Sequence, residues 1–231
     1  MDYEEISAEL EEEFTWRVNE IRFLQNIQSN LVIEQDENLY RKSLIVMLYS
    51  HLEGFCKFAF LYYIKKINHE QYMRVRLNTS LVTASMWGAF LAYENLDSKC
   101  KIFKRQLPDD KELHRYSRRK DFVKAFDDFL NEVAIIPETV VDTESNLKPI
   151  ILRKILFRLG FDVDIAKEYD GTINRLLEYR NSIAHGDAKF REGLSDKDYI
   201  EIKDATFEVM QKVKELVAHS LRDEAFLAES D

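Results

Sequence analysis

Leu44-Ile45-Val46-Met47-Leu48-Tyr49-Ser50-His51-Leu52-Glu53-Gly54-Phe55-Cys56-Lys57-Phe58-Ala59-Phe60-Leu61-Tyr62-Tyr63-Ile64 is the stretch that decides the fold. Its length approaches the roughly 20 residues of a membrane span. Its middle carries His51, Glu53 and Lys57, and each such group would cost on the order of 2.5 kcal/mol or more at bilayer depth. A helix buried in a protein bundle is the cheaper arrangement, so no membrane partner is expected. From Leu44 through Leu48, Leu52, Phe55, Phe58 and Leu61 to Ile67 the segment is apolar nearly all round, which predicts a central helix over about 38–67.

Composition agrees with helices around that centre. Only six glycines and three prolines punctuate 231 residues, of which 45% are hydrophobic. The chain can fill a core, and long helices suit it better than many short strands. The fold class expected is all-α. On the N-terminal side, Ile6, Leu10, Phe14, Val18, Ile21, Leu24, Ile27 and Leu31 recur at three- and four-residue steps, predicting a surface helix over about 3–34. On the C-terminal side, Ser145 is a helix cap by residue type, with Pro149 in the first turns and Gly160 as the stop of a helix over 145–160. Further helices are expected over 171–186 and 195–221, with a frayed tail after Arg222. All of these belong to one domain, 1–231.

Between about 72 and 142 the periodicity weakens, leaving apolar patches from Leu81 to Tyr93 and a helix near Phe122 to Ile136, stopped by Pro137. This reads as a partly helical insertion. Nine cations between Lys99 and Lys120, against Asp109, Asp110 and Glu112, give it a local charge of +6 inside a chain whose net charge is -9. Overall acidity argues against indiscriminate coating of nucleic acid. Lys104, Arg105, Arg115, Arg118, Arg119 and Lys120 are nevertheless the residues expected to touch RNA, with a solvated loop as the alternative. The N-terminus, Met1-Asp2-Tyr3-Glu4-Glu5, lacks the positive charge of an export signal. Cys56 and Cys100 stand alone, without CxxC or Cys/His spacing. A cytoplasmic protein with no metal and no cofactor is expected.

Arg180-Asn181-Ser182-Ile183-Ala184-His185-Gly186 is the stretch most suited to chemistry. Ile173, Leu176, Leu177, Ile183 and Ala184 mark the apolar face of its helix, and Arg180 lies three or four residues from four of them. A guanidinium on or beside a buried stripe needs a carboxylate, backbone carbonyls or an anionic ligand. Glu53 on the central helix is the partner expected. His185 follows five residues after Arg180, about 140° round an ideal helix, so the two do not share a face. Asn181 does share one with His185 and is placed to orient its ring, while Gly186 turns the chain away. Arg180 and His185 meet at one substrate through arginine's reach, local distortion, or a second copy of the helix, and a homodimer follows from the last.

The string Arg180-Asn181…His185-Gly186 resembles the signature of the HEPN superfamily, all-α domains whose ribonuclease members carry Arg, a polar residue, a short spacer and His. Ser50-His51-Leu52-Glu53-Gly54-Phe55 and Thr143-Glu144-Ser145-Asn146-Leu147 extend the resemblance more loosely, toward a prokaryotic subgroup of defence and toxin-antitoxin loci. It covers 38–67 and 145–221 but not the basic insertion. The resemblance implies metal-independent RNA cleavage, in which the ribose 2′-hydroxyl attacks the neighbouring phosphate and leaves a 2′,3′-cyclic phosphate. His185 would move the proton, Arg180 would stabilise the phosphorane charge, Asn181 would orient the histidine or bind substrate, and Glu53 would hold Arg180. An antitoxin, or a restriction or defence protein, is the partner implied.

Members silenced by nucleotidylation carry a tyrosine two residues after the histidine, where this chain has Asp187, so that mode of regulation is not expected. The alternative reading is a noncatalytic dimer that binds RNA, a nucleotide or a protein. Glu201-Ile202-Lys203 imitates part of a metal-dependent nuclease motif but lies in a helical pattern. His51, His69, His114 and His219 have no ligand spacing and read as ordinary core or surface histidines.

Overall fold

The computed structural model describes residues 1–28, 31, 33–187 and 193–228, the side chain of residue 127 excepted. Among these residues there are eight α-helices: α1 (Tyr3–Gln28), α2 (Glu34–His69), α3 (Thr79–Ser85), α4 (Trp87–Glu94), α5 (Lys111–Asn131), α6 (Pro149–Leu159), α7 (Asp170–Ala184) and α8 (Asp196–Arg222). Pairing of extended chain is limited to two isolated antiparallel bridges, Met73 with Val133 and Leu77 with Leu227. The fold is all-α, as the composition predicts.

α2 is the central helix. It is long and apolar enough to cross a bilayer, yet α1, α7 and α8 pack against it. Leu44, Ile45, Leu48, Leu52, Phe55, Cys56, Ala59, Phe60, Tyr63 and Ile64 are all buried. α8 supplies the longest facing stripe, with Tyr199, Ile202, Val209, Met210, Val213 and Val217 directed inward. Its start is set by Ser195, whose hydroxyl accepts from the Asp198 amide (3.2 Å) and donates to the Asp198 carboxylate (2.6 Å), a reciprocal cap.

α1 is shorter than its periodicity suggests. It ends at Gln28, and residues 29, 30 and 32 of the expected 3–34 helix lie outside the described residues. Ser145 does not cap α6. It adopts a left-handed conformation (φ 58°), and the helix begins four residues later at Pro149, after an extended Lys148. Pro149 explains the shift, because the residue before a proline is pushed out of the helical region. The helix expected near Phe122 to Ile136 begins much earlier, where Asp110 accepts from the Leu113 amide at 3.0 Å, and it ends at Asn131. Val133 and Ala134 are extended instead, with the Ala134 amide donating to Tyr72 (2.8 Å). The tail after Arg222 is not frayed as far as Ala228. Phe226 is fully buried, and the Ala228 amide donates to Arg76 (2.9 Å), so one aromatic plug ties the chain end to the start of the insertion.

The ends of the 72–142 segment join the main core through Leu77, Leu81, Ala134, Ile136 and Val140. Its middle, α4 against α5, is a satellite built on Phe90, Tyr93, Phe122, Phe126 and Phe129.

His51 lies under Trp16 (5.4 Å, edge-on), with Nε2 3.0 Å from a Glu20 oxygen but off the line of a hydrogen bond. Burial lowers its pKa below the usual imidazole value, against the pull of Glu20. The unfolded chain therefore takes up this proton first, at about pH 6.5. Stability from the neutral ring is present above that pH and falls as pH drops toward the lower folded value. The urea midpoint should decline from pH 7 to 5, and less steeply in His51→Gln; equal slopes would remove His51 as the cause.

Candidate functional site

α7 carries Ile173, Leu176 and Leu177 on its buried face and brings Arg180 to the surface of α2 half-buried. The guanidinium lies over the ring of Tyr49, with its carbon 4.6 Å from the ring centre. Nη1 donates to the Asn181 amide oxygen at 2.8 Å. Tyr49 is held in turn from the segment before α6. Its hydroxyl accepts from the Leu147 amide (3.1 Å) and donates to the Asn146 side-chain oxygen (3.3 Å). Burial, and then the Glu53 carboxylate alongside, push the phenol up to about 12, so it remains a neutral donor.

Two expectations change here. Glu53 makes no ion pair with Arg180. It sits one turn beyond Tyr49 on α2 and acts on the tyrosine, while the aromatic ring takes the guanidinium face. Asn181 meets Arg180 and makes no hydrogen bond to the His185 ring, because its amide oxygen is turned back toward the arginine.

Arg180 thus has no carboxylate within ion-pair distance among the described residues. Arg175, five residues earlier on the same helix, has two: Asp198 at 2.8 Å and Glu201 at 2.7 Å. That pairing also occupies Glu201, the acid of the nuclease-like tripeptide, and places it within α8. A guanidinium that is half-desolvated, seated on an aromatic ring and short of a counter-charge is suited to an anionic ligand.

His185 caps α7 and is exposed. The helix ends because Gly186 takes φ 69° and donates to Ile183 (3.2 Å) while Asp187 donates to Ser182 (2.9 Å), the paired bonds of a Schellman stop. The imidazole is left exposed at the helix end.

Of the basic residues expected at RNA, Lys104, Arg105, Arg119 and Lys120 are exposed. Arg115 is exposed but pairs with Glu112 at 3.0 Å. Arg118 is a correction: its guanidinium donates to the carbonyls of Tyr93 (3.0 Å) and Ser98 (3.1 Å), stapling α5 to the end of α4 and the chain after it. These two bonds commit it to the fold. Tyr49 is the site residue that sequence reasoning passed over. Its position four residues before Glu53 was the available signal.

Tyr49 separates two roles. Tyr49→Phe leaves the Leu147 amide without its acceptor and should cost about 1–2 kcal/mol of stability while keeping the seat under Arg180. Tyr49→Leu removes the seat as well. Binding of an anionic oligonucleotide should fall in Tyr49→Leu and hold in Tyr49→Phe; the reverse order would show that the ring does not position Arg180.

An all-α bundle with an arginine and a histidine at the end of one helix, beside an apolar central helix, has the features of a HEPN domain. The chain belongs to the RiboL-PSP-HEPN family, whose model matches residues 12–219. Searches of curated proteins and of solved structures found no match. Membership points to an RNase-like or RNA-related function.

Proposed function

We propose that this protein is a metal-independent endoribonuclease that cleaves RNA by attack of the ribose 2′-hydroxyl on the adjacent phosphate. The observation that carries the reading is the contrast within α7: Arg175 is doubly neutralised, whereas Arg180, half-buried on Tyr49, has no carboxylate partner among the described residues. Such a guanidinium offers a fork of donors to a phosphate whose charge grows in the transition state. His185 stands exposed at the end of the same helix as the proton carrier.

Five residues apart on α7, Arg180 and His185 are separated by about 140° round an ideal helix. A homodimer that brings two α7 ends together supplies both groups to one phosphate. RNA is the substrate of this reading, and the exposed cations Lys104, Arg105, Arg119 and Lys120 would hold its backbone. A toxin or phage-defence effector in the cytoplasm, restrained by an antitoxin or other partner protein, is the setting in which such cleavage would act.

Purified protein incubated with RNA in EDTA tests the chemistry. Fragments ending in a 2′,3′-cyclic phosphate are expected, together with a dimer by sedimentation. Intact RNA across several structured and unstructured substrates would overturn the reading and favour a binding dimer.

A further inference from the structure

Away from Arg180, a cleft of about 570 Å³ opens between α3, α4, the turn at Glu138–Val140 and the C-terminal end of α6. Its size is that of a small-ligand site. Trp87 and Phe157 line it 62% and 73% exposed, and Phe90 lines it half-buried. Arg158 lines the same cleft together with Glu94 and Asp142. Among the described residues, Arg158 makes no ion pair, although two carboxylates share its cleft. Arg153, one turn and a half earlier on α6, is paired with both Asp164 (3.2 Å) and Asp170 (2.7 Å).

We propose that this cleft takes an unstacked nucleobase of single-stranded RNA. Bare aromatic rings give a base a stacking face regardless of its sequence. A free guanidinium donates to the acceptor edge of a base, and the carboxylates of Glu94 and Asp142 accept from its exocyclic amino group. An aliphatic chain would leave all three charges unsatisfied. A bare phosphate would meet two carboxylates and the negative end of α6. A flat heterocycle with donors and acceptors on its edges satisfies both signs at once.

The cleft is connected to the Arg180 site through α6. Asn146 and Leu147, just before that helix, hold the Tyr49 hydroxyl. From Pro149 to Phe157 the helix runs about 12 Å, so one short strand can lie along it between the two places. The choice of RNA as the source of the base rests on the proposed ribonuclease; the cleft chemistry does not.

The chain has two tryptophans, so Trp16→Phe leaves Trp87 as the only reporter. In that background, Trp87 fluorescence is titrated with a short 2′-O-methyl oligonucleotide that cannot be cleaved, with nucleoside monophosphates, and with ribose 5-phosphate. Saturable quenching by the oligonucleotide and by at least one mononucleotide, but not by ribose 5-phosphate, is expected. Phe157→Ser, at an exposed position, and Arg158→Gln, at a half-buried one, should each weaken it about tenfold with helicity unchanged. Absence of quenching, equal quenching by ribose 5-phosphate, quenching by free mononucleotides alone, or affinity unchanged in both variants would overturn the proposal. Base binding in a protein that leaves RNA intact would support the cleft and sink the nuclease. Cleavage without quenching would do the opposite.

Discussion

Arg180→Ala should lower the rate of RNA cleavage by about 10³-fold while leaving the fold in place. Removing one preorganised donor to a developing oxyanion typically costs a factor of about 10²–10³, and loss of the charge on the phosphate adds to that. The structural cost is small, because among the described residues Arg180 holds the bundle through one hydrogen bond to Asn181 and its seat on Tyr49. Together these are worth about 1–2 kcal/mol. His185→Ala should slow cleavage by about 10²–10⁴-fold with a smaller change in melting temperature, since the ring is exposed and the helix stop is made by Gly186. Single-turnover rates with a defined RNA, alongside thermal melts, measure both effects. Rates within a few-fold of wild type in both variants would remove these two residues from the chemistry. If the site is shared across a dimer, mixing the two variants should restore part of the activity, and a mixture as inactive as its components would confine the site to one chain.

Gly193→Ala should be the most damaging small substitution in the chain. Gly193 has φ 84°, and a Cβ there would lie 2.0 Å from the Asn38 carbonyl oxygen. That carbonyl accepts from the Leu194 amide at 3.3 Å. Beside it, buried Arg41 donates to the Leu194 carbonyl (3.3 Å), the Asn38 side chain (2.7 Å) and Asp196 (3.1 Å). Here the chain returning from the Arg180 site is clamped onto the start of α2 and led into α8. An alanine must either break that clamp or hold a left-handed conformation that costs about 1–2 kcal/mol by itself. A total loss of about 3 kcal/mol is expected, which corresponds to a fall of roughly 10 °C in melting temperature for a chain of this size. Gly88→Ala is the control, with nothing within 4 Å of the added carbon. It should stabilise slightly, by about 0.5 kcal/mol. Similar losses in both variants would show that the clamp does not govern stability.

The elements read correctly from the residues are those with a strong apolar period or a stereochemically demanding stop. α2 and α8 are long enough for their pattern to exceed chance, and Gly160 and Gly186 end helices where the backbone turns left-handed. Misreadings fall where a single local feature outranked the pattern. Pro149 displaced the helix start from Ser145, and the polar first half of α5 concealed a helix capped by Asp110. Phe226, isolated after Asp223 and Glu224, has no periodicity to announce that it fills a hole in the core.

At the candidate site, residue types and spacing single out Arg180, Asn181 and His185 as candidates, but not the groups they touch. Adjacent positions along α7 are related by the helix, so their relative directions follow from 3.6 residues per turn. Contacts between α7 and α2 depend on how the two helices cross and which rotamers pack. Glu53 was therefore the reasonable partner for Arg180, and Tyr49, one turn earlier, was the real one.

By itself the sequence determined a helical bundle around 44–64, an arginine on a half-buried face, and a histidine at a glycine-stopped helix end, because these depend on local periodicity and backbone sterics. Only the tertiary structure decided that, among the described residues, Arg180 has no carboxylate and Arg158 no ion pair, that Tyr49 seats Arg180 and that Arg118 is spent on carbonyls. Each of these depends on which groups from distant segments arrive within hydrogen-bond reach. That is set by packing, and the linear order does not encode it locally.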